Sequence, residues 1–361
     1  MSPLLIQSLT AFFTTLIAIK FMAKLAPRIS LTDAPDPRKR HNGEVPLVGG
    51  LAIFVTLLIG GIIWGDTHVA VLTARGNHAL WVFLIAGGVL VLVGALDDRL
   101  KLGVSARVLS EVAVALIVIE GLDLSQRNLG ALVGDNPIEL PTSLAYPFTI
   151  IAIFGLINAF NMLDGLDGLL ASLVLSTLLS FHIFTQTEPG FVTLFLSGSL
   201  FAFLISNLSL SSYVPKTFLG DAGSRLLGFI VVCLLLAAAS SYVGQSKIIQ
   251  PVTALYITAL PLFDMSFTVF RRIIRQTSPL KPDRSHIHHL LQDLGFSDRR
   301  ALVIIVCLGL IVPSLGLLLN RLGASESLQF YLFLGCFGIY CLIMSQAWFL
   351  ANRIVPEKNL S

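Results

Sequence analysis

Apolar runs long enough to cross a lipid bilayer recur along almost the whole chain, and they restrict its fold more than any other feature. Eleven such runs lie near residues 3–23, 47–65, 79–96, 106–121, 144–161, 169–186, 191–209, 224–242, 250–270, 301–320 and 328–350. A transmembrane helix needs about 20 mainly apolar residues, and a backbone inside a bilayer must satisfy its own hydrogen bonds. The runs therefore predict an all-α, polytopic helical membrane protein with about 11 transmembrane helices. The run at 106–121 is the weakest, because it is short and contains Glu111.

The composition excludes the common soluble classes. Of the 361 residues, 55% are hydrophobic and only 12% are charged, whereas soluble domains carry about 25% charged residues. This composition argues against an ordinary soluble enzyme, a disordered protein and a secreted disulfide scaffold. The four cysteines lie in apolar runs without a CxxC pair, so we interpret them as small hydrophobic residues. We predict a single integral-membrane domain over residues 1–361.

The distribution of basic residues predicts the orientation of the bundle. If the N-terminus is periplasmic, 20 of the 24 Lys and Arg residues fall on the cytoplasmic side of the predicted spans. Cytoplasmic loops of membrane proteins carry an excess of Lys and Arg. The sequence therefore predicts a periplasmic N-terminus, a cytoplasmic C-terminus and five cytoplasmic loops.

Side chains that could carry chemistry collect in four of these predicted cytoplasmic loops, near residues 97–107, 158–168, 216–225 and 271–300. They are Asp97, Asp98, Asn158, Asn161, Asp164, Asp167, Asp221, His286, His288 and His289. Asp164 and Asp167 are three residues apart, so on a helix they would share a face. Five carboxylates brought to one membrane edge would repel each other. Mg²⁺ held jointly by carboxylates and substrate phosphates would relieve that repulsion. The simpler alternative is that each Asp is a solvated helix end or an N-cap.

The histidine motif and one intramembrane carboxylate leave alternatives open. Three histidines occupy the four positions from His286 to His289, directly after Arg284. The neighbouring Arg284 favours contact of these histidines with a phosphate or a nucleotide over a metal site or a structural role. Asp264 lies inside the ninth apolar run. Carboxylates in spans are usually functional, but Asp264 could equally pair with a neighbouring helix.

Four motifs together resemble a known family. The segments DDRLK, NAFNMLDGLDGLL, FLGDAGS and DRSHIHH are similar to those of the polyprenyl-phosphate N-acetylhexosamine-1-phosphate transferases, over roughly residues 25–300. The segments RKRHNGEVPLVGG and QPVTALYITALPLFDM, and the HIHH form of the histidine motif, resemble the WecA-like branch. The MraY branch of peptidoglycan synthesis has three consecutive histidines instead.

The resemblance implies a reaction. Undecaprenyl phosphate would attack the sugar-linked phosphate of UDP-GlcNAc, giving undecaprenyl-diphospho-GlcNAc and UMP. This would be the lipid-linked first step of a cell-surface polysaccharide such as O antigen or enterobacterial common antigen. It also implies a bacterial inner-membrane enzyme whose site faces the cytoplasm, with no nucleic-acid partner. Another UDP-N-acetylhexosamine donor, a direct or a covalent mechanism, and homo-oligomerisation all stay open.

The resemblance also implies residue roles. Asp221 would bind Mg²⁺, or Mn²⁺ as the alternative cation, with Asn161 as a second ligand. The catalytic carboxylates would be Asp97 and Asp98 at the lipid phosphate and Asp164 and Asp167 at the nucleotide. Residues that would contact the substrates are Lys101, Arg107, Asn158, Arg284, His286, His288 and His289.

Two proteins of other classes could share this composition. A transporter would also be polytopic with intramembrane carboxylates, but transporter sites tend to lie near the bilayer midplane. Here every motif carboxylate except Asp264 lies at a predicted span end. In a membrane scaffold without catalysis, the clustered Asp and His residues would have no evident role.

Overall fold

The computed structural model describes residues 2–34, 43–64, 78–240, 247–278 and 285–354. These segments are mostly helical, so the predicted all-α class is confirmed at that level. The helices are α1 (Pro3–Leu25), α2 (Gly49–Trp64), α3 (His78–Leu100), α4 (Val104–Leu122), α5 (Thr142–Leu163), α6 (Leu169–Thr185), α7 (Phe191–Asn207), α8 (Gly220–Ala239), α9 (Pro251–Ile257), α10 (Ala259–Ile274), α11 (Ile287–Asp293), α12 (Asp298–Arg321) and α13 (Glu326–Ile354). A short 3₁₀ helix (Ala26–Ile29) follows α1, and β1 (Thr32–Asp33) pairs antiparallel with β2 (Val45–Pro46).

Several of these helices can cross a bilayer, which makes the chain a multi-pass membrane protein. Six are long and apolar enough: α1 with its 3₁₀ extension, α3, α5, α8, α12 and α13. The bent pair α9 and α10 would be a seventh, while α2, α6 and α7 are apolar but shorter. The described part of every predicted apolar run overlaps a helix or the bent pair. The count of eleven spans and the orientation remain predictions.

The ninth predicted run departs from a simple span. Instead of one helix over 250–270, α9 and α10 meet at an angle of 80°. The break falls at Thr258, just before Pro261. Proline has no backbone N–H and cannot complete the bond to the carbonyl four residues earlier, so the helix is interrupted there. The predicted loop 271–300 is also partly helical, since it contains α11.

The chain divides into two compact units. Unit 1 comprises Met1–Ser125, Thr149–Ile157 and Gln186–Ala237. Unit 2 comprises Gln126–Phe148, Asn158–Thr185 and Ala238–Ser361. Nothing in this division tests the predicted single transferase domain, which stays a prediction.

Unit 1 packs its helices around the start of α8. The backbone N–H groups of Gly49 and Gly50, at the start of α2, donate to the carbonyls of Phe218 and Leu219, at 2.9 and 3.1 Å. A side chain at Gly94 of α3 would overlap the backbone of Ala222. The missing Cβ therefore lets α3 lie directly against the first turn of α8. Small residues permit such close approaches between membrane helices.

Unit 2 is held around α10 and α13 by aromatic packing. The ring of Phe263 lies 5.0 Å from that of Phe333 and 5.3 Å from that of Phe337. The Tyr256 hydroxyl donates to the Gln329 carbonyl at 2.6 Å. Aromatic pairs at these distances add to the energy of burial. They fix α10 against α13, and this arrangement positions the intramembrane carboxylate described below.

Candidate active site

The first group of predicted site residues lies in unit 1, where α3 ends and α8 begins. Asp98 Oδ1 accepts a hydrogen bond of 3.1 Å from the backbone N–H of Asp221. That amide is in the first turn of α8, where helical N–H groups have no partner within their own helix. Asp98 therefore caps α8 from a different helix. The structure brings Asp97, Asp98 and Asp221 together, although the motifs are more than 120 residues apart.

Asp97 is held by two arginines. Its Oδ2 lies 2.8 Å from Arg225 Nη2 and 3.4 Å from Arg107 Nη1. Both Asp97 and Arg225 are buried, whereas the Arg107 side chain is 31% exposed. A buried charge is tolerated only when it is paired and hydrogen-bonded. Asp97 is thus an ion-pair partner within this cluster.

Arg225 and Glu111 are two members of the site that the motifs did not indicate. Arg225 Nη2 lies 3.6 Å from Asp221 Oδ2, and Arg225 Nε lies 3.8 Å from Glu111 Oε1. One buried guanidinium thus contacts three carboxylates. Two signals in the sequence could have found it. Asp221 and Arg225 are four apart and share a helix face, and a carboxylate such as Glu111 inside an apolar run needs a partner.

The second carboxylate oxygen of Asp98, Oδ2, differs from the first in its hydrogen bonding. Oδ2 is buried and has no hydrogen-bond partner among the described residues. Gly220 adjoins it with φ +69°, and a side chain there would overlap this oxygen. Glycine adopts this backbone conformation without the steric cost that a Cβ brings. Asp98 and the partly exposed Asp221 thus form an acidic pair at the start of α8.

The two predicted phosphate contacts flank the same cluster. Lys101 follows α3 in the left-handed region, with φ 52°, and its backbone N–H donates to the Asp97 carbonyl at 2.8 Å. Its side chain is exposed. Arg107 lies one turn into α4 and reaches Asp97. Unit 1 therefore places two cations beside the carboxylates, one in solvent and one half-buried.

The second group lies in unit 2, between α5 and α6. Asn158 and Asn161 occupy the last turns of α5. Asp164 follows as the C-cap of α5, and its backbone N–H donates to the Asn161 carbonyl at 3.2 Å. The three-residue spacing of Asp164 and Asp167 suggested one helix face. That interpretation is wrong, because residues 164–168 form a non-helical turn. Gly168, with φ +77°, redirects the chain into α6.

The histidine motif lies against this turn. A side chain at Gly165 would overlap the ring of His288, so the glycine gives the imidazole room beside Asp164. The rings of His288 and His289 are 4.1 Å apart, and the His286 ring is parallel to that of His288. Unit 2 therefore brings the second and fourth motifs together. Arg284, predicted to contact substrate, lies outside the described residues.

His286 is anchored by the intramembrane carboxylate whose role the sequence left undecided. Its Nδ1 lies 2.7 Å from Asp264 Oδ2. The backbone N–H of Ile287 and the hydroxyl of Tyr340 donate to Asp264 Oδ1 at 2.9 and 3.0 Å. Asp264 is fully buried. The structure thus resolves the alternatives for Asp264 toward a specific partner, the histidine motif.

Metal binding by protein groups alone finds little support in the part of the chain that the structure describes. There, no three His, Cys, Asp or Glu side chains are grouped so that they could hold an ion. The acidic pair offers two carboxylates, Asp98 and Asp221. Mg²⁺ is commonly held by one or two carboxylates together with substrate phosphates, and this donor set fits that pattern.

Similarity to characterised proteins agrees with the motifs. The model of glycosyl transferase family 4 matches residues 80–239. An undecaprenyl-phosphate alpha-N-acetylglucosaminyl 1-phosphate transferase of Escherichia coli (strain K12) is 34% identical over 97% of this chain and 94% of its own. Proteins of the same name from Yersinia pestis and Salmonella typhi are 36% and 35% identical, over 95% and 98% of this chain and 92% and 94% of theirs. These similarities confirm the resemblance, and the chain belongs to glycosyl transferase family 4.

Proposed function

We propose that this chain transfers GlcNAc-1-phosphate from UDP-GlcNAc to undecaprenyl phosphate. A phosphate oxygen of the lipid would form a new bond to the sugar-linked phosphorus. The bond from that phosphorus to the bridging oxygen would break, and UMP would leave with this oxygen. The observation that carries the proposal is similarity over nearly the full length to enzymes named for this transfer.

The physical setting of the two substrates supports a site at the membrane edge. Undecaprenyl phosphate is confined to the bilayer, while a nucleotide sugar is soluble. Lys101 lies at the end of α3 and Asp221 at the start of α8, and both helices are long enough to span. Basic and acidic side chains at the ends of spans can contact both a lipid phosphate in the bilayer and a soluble donor.

We infer that Asp98 and Asp221 would hold Mg²⁺ as an acidic pair. The buried Asp98 Oδ2, which has no hydrogen-bond partner among the described residues, and the partly exposed Asp221 carboxylate support this assignment. When bound there, Mg²⁺ would offset the negative charge of the phosphates. Arg225 would neutralise the buried Asp97 at 2.8 Å, while its longer contact to Asp221, at 3.6 Å, involves a carboxylate that is partly exposed. Asn161 belongs to unit 2, and its role as a second metal ligand is a prediction from the resemblance alone.

The remaining side chains would bind and orient the substrates. Lys101 and Arg107 would contact phosphates beside Asp97, which would orient the lipid phosphate. In unit 2, the turn bearing Asp164 and Asp167 would shape the nucleotide pocket. The resemblance assigns donor contact to five further motif residues, namely Asn158, Arg284, His286, His288 and His289. Positioning and electrostatics supply most of the catalysis in phosphoryl transfer.

Donor choice provides the direct test. We expect membranes containing this protein to transfer label from UDP-GlcNAc to undecaprenyl phosphate, and none from UDP-MurNAc-pentapeptide. A site that hydrogen-bonds a substrate hydroxyl can strongly reject an analogue lacking it, so a 6-deoxy UDP-N-acetylhexosamine should compete poorly. The measurement is competition between labelled donors in one membrane preparation with Mg²⁺. Preferred use of the pentapeptide donor would refute the GlcNAc assignment.

We further propose that the bundle lies in the bacterial inner membrane with its site facing the cytoplasm. The bias of basic residues supports this orientation. A reporter enzyme active only outside the cytoplasm should function when fused at Gly76 and fail when fused at Arg284. A cytoplasmic reporter at the same two positions serves as the reciprocal control. Activity in the reverse pattern would overturn both the topology and the proposed side of the site.

A further inference from the structure

We propose that Asp264 is a positioning residue that orients the histidine motif for donor binding. The inference rests on the proposed function, since it assigns a task within that reaction. Asp264 lies in the interior of α10 and is fully buried. It accepts hydrogen bonds from the His286 ring, the Ile287 backbone and the Tyr340 hydroxyl. It does not touch the substrates in this proposal, but acts through His286 and α11.

The carboxylate selects one form of the His286 ring. An ionised carboxylate can only accept hydrogen bonds, so Nδ1 of His286 must carry the hydrogen. Nε2 is then the ring nitrogen that remains to contact a ligand, because the described residues give it no hydrogen-bond partner. Carboxylates behind functional histidines fix the tautomer and the ring orientation in this way. Asp264 therefore determines which atom of His286 faces the donor.

The same carboxylate sets the place where α11 begins. The Ile287 N–H belongs to the first turn of α11, where no carbonyl of that helix can accept it. Asp264 Oδ1 accepts it at 2.9 Å, so the ring of His286 and the backbone beside it are fixed by one group. His288 follows within α11, with its ring against Gly165. A shift at Asp264 would therefore move His288 relative to the turn bearing Asp164.

Tyr340 adds a third donor from α13. Its hydroxyl is 3.0 Å from Asp264 Oδ1, and its ring packs 5.8 Å from that of Phe263. Burying a carboxylate is costly unless it is fully hydrogen-bonded. Three donors on two oxygens offset this cost. An apolar side chain would suffice if Asp264 only filled space. A carboxylate is needed to hold both the His286 ring and the Ile287 backbone N–H.

The test measures which kinetic constant changes in Asp264→Asn. The amide keeps the size of the side chain but presents N–H hydrogens where acceptors are required. We expect the KM for UDP-GlcNAc to rise about ten-fold or more, the effect of losing a hydrogen bond to a charged group. The KM for undecaprenyl phosphate should stay within about two-fold of the parent value. Thr268→Val, one turn along the same buried face of α10, is the matched control and should leave both constants unchanged.

A double-mutant cycle separates positioning from general stability. If Asp264 acts through His286, then His286→Ala and Asp264→Asn should not be additive in donor KM. If Asp264→Asn does not fold, Tyr340→Phe removes one donor while keeping the ring, and should raise donor KM by a few-fold. Additive effects, or a fall in kcat with both KM values unchanged, would overturn the proposal.

A second readout keeps this inference distinct from the proposed function. In protein labelled with ¹⁵N-histidine, the His286 nitrogens should report a hydrogen on Nδ1 in the parent and a changed tautomer in Asp264→Asn. His286→Ala assigns the signal. Absence of transfer from UDP-GlcNAc in the parent would defeat the proposed function, whatever this spectrum shows. An unchanged His286 spectrum in Asp264→Asn would defeat the positioning role even in an active enzyme.

Discussion

Asp221→Asn and Asp98→Asn are each expected to lower the rate of transfer by about a hundred-fold or more, with the protein still inserted and folded. Asparagine keeps the size of the side chain but removes the charge with which the acidic pair would hold Mg²⁺. Removing one preorganised electrostatic contact in an active site costs about 10²–10³-fold in turnover. For Asp98, the cap on the Asp221 amide can be kept by the asparagine oxygen, so the loss should be mainly electrostatic.

The measurement is kcat as a function of Mg²⁺ concentration in purified protein. Any residual activity should need more Mg²⁺ than the parent does. Glu188→Gln changes an exposed carboxylate of unit 1 in the segment between α6 and α7. This variant is the control for a general loss of negative charge and should behave as the parent. Near-normal turnover of Asp221→Asn at low Mg²⁺ would show that the metal assignment is wrong.

The positions of the helices were largely predictable because length and hydropathy decide them. A run of about 20 apolar residues can satisfy its backbone in a bilayer only as a helix. The bend between α9 and α10 was not predicted, although Pro261 was visible. Proline is tolerated within many membrane helices when neighbours satisfy the freed carbonyl, so its presence alone does not determine a break.

The membership of the candidate site was predictable to a lesser degree. Motif residues such as Asp98 and Asp221 were indicated by charge in an apolar chain, and the structure places them in contact. Arg225 was counted only as a basic residue of a loop. Its role depends on which carboxylates surround it in three dimensions. Sequence spacing gives the nearby Asp221 but not Glu111, which is more than a hundred positions away.

The histidine motif illustrates the same limit. Its own residues indicated ligand contact, but the group that orients them lies 22 positions earlier. Asp264 was recognised as unusual because a carboxylate in a span is costly. The sequence does not show which residue Asp264 pairs with, because helix packing decides which polar groups come into contact. The turn at 164–168 was misassigned for a related reason: three-residue spacing fits a helix, and only the backbone at Gly168 shows that the helix has ended.

The same reasoning makes Arg225 the residue whose loss should most reduce stability. Arg225→Met would keep most of the apolar stem but remove the guanidinium that lies between Asp97, Asp221 and Glu111. Breaking a buried ion pair by removing one partner typically costs about 3–5 kcal/mol, because the other charge stays buried. We expect a fall in the Tm of the purified protein of at least about 5 °C and loss of transfer activity.

If buried charge destabilises Arg225→Met, neutralising the partner carboxylates should restore its Tm. Loss of packing alone predicts no such recovery. Adding Asp97→Asn and Glu111→Gln to Arg225→Met removes the uncompensated charges, so most of the lost Tm should return. Activity should stay low, because Asp97→Asn removes the carboxylate that would orient the lipid phosphate. Arg99→Gln, an exposed arginine at the end of α3, is the control and should leave Tm and activity near the parent values. A triple variant no more stable than Arg225→Met alone would mean that Arg225 stabilises the helices by packing, and that the carboxylates around it do not depend on its charge.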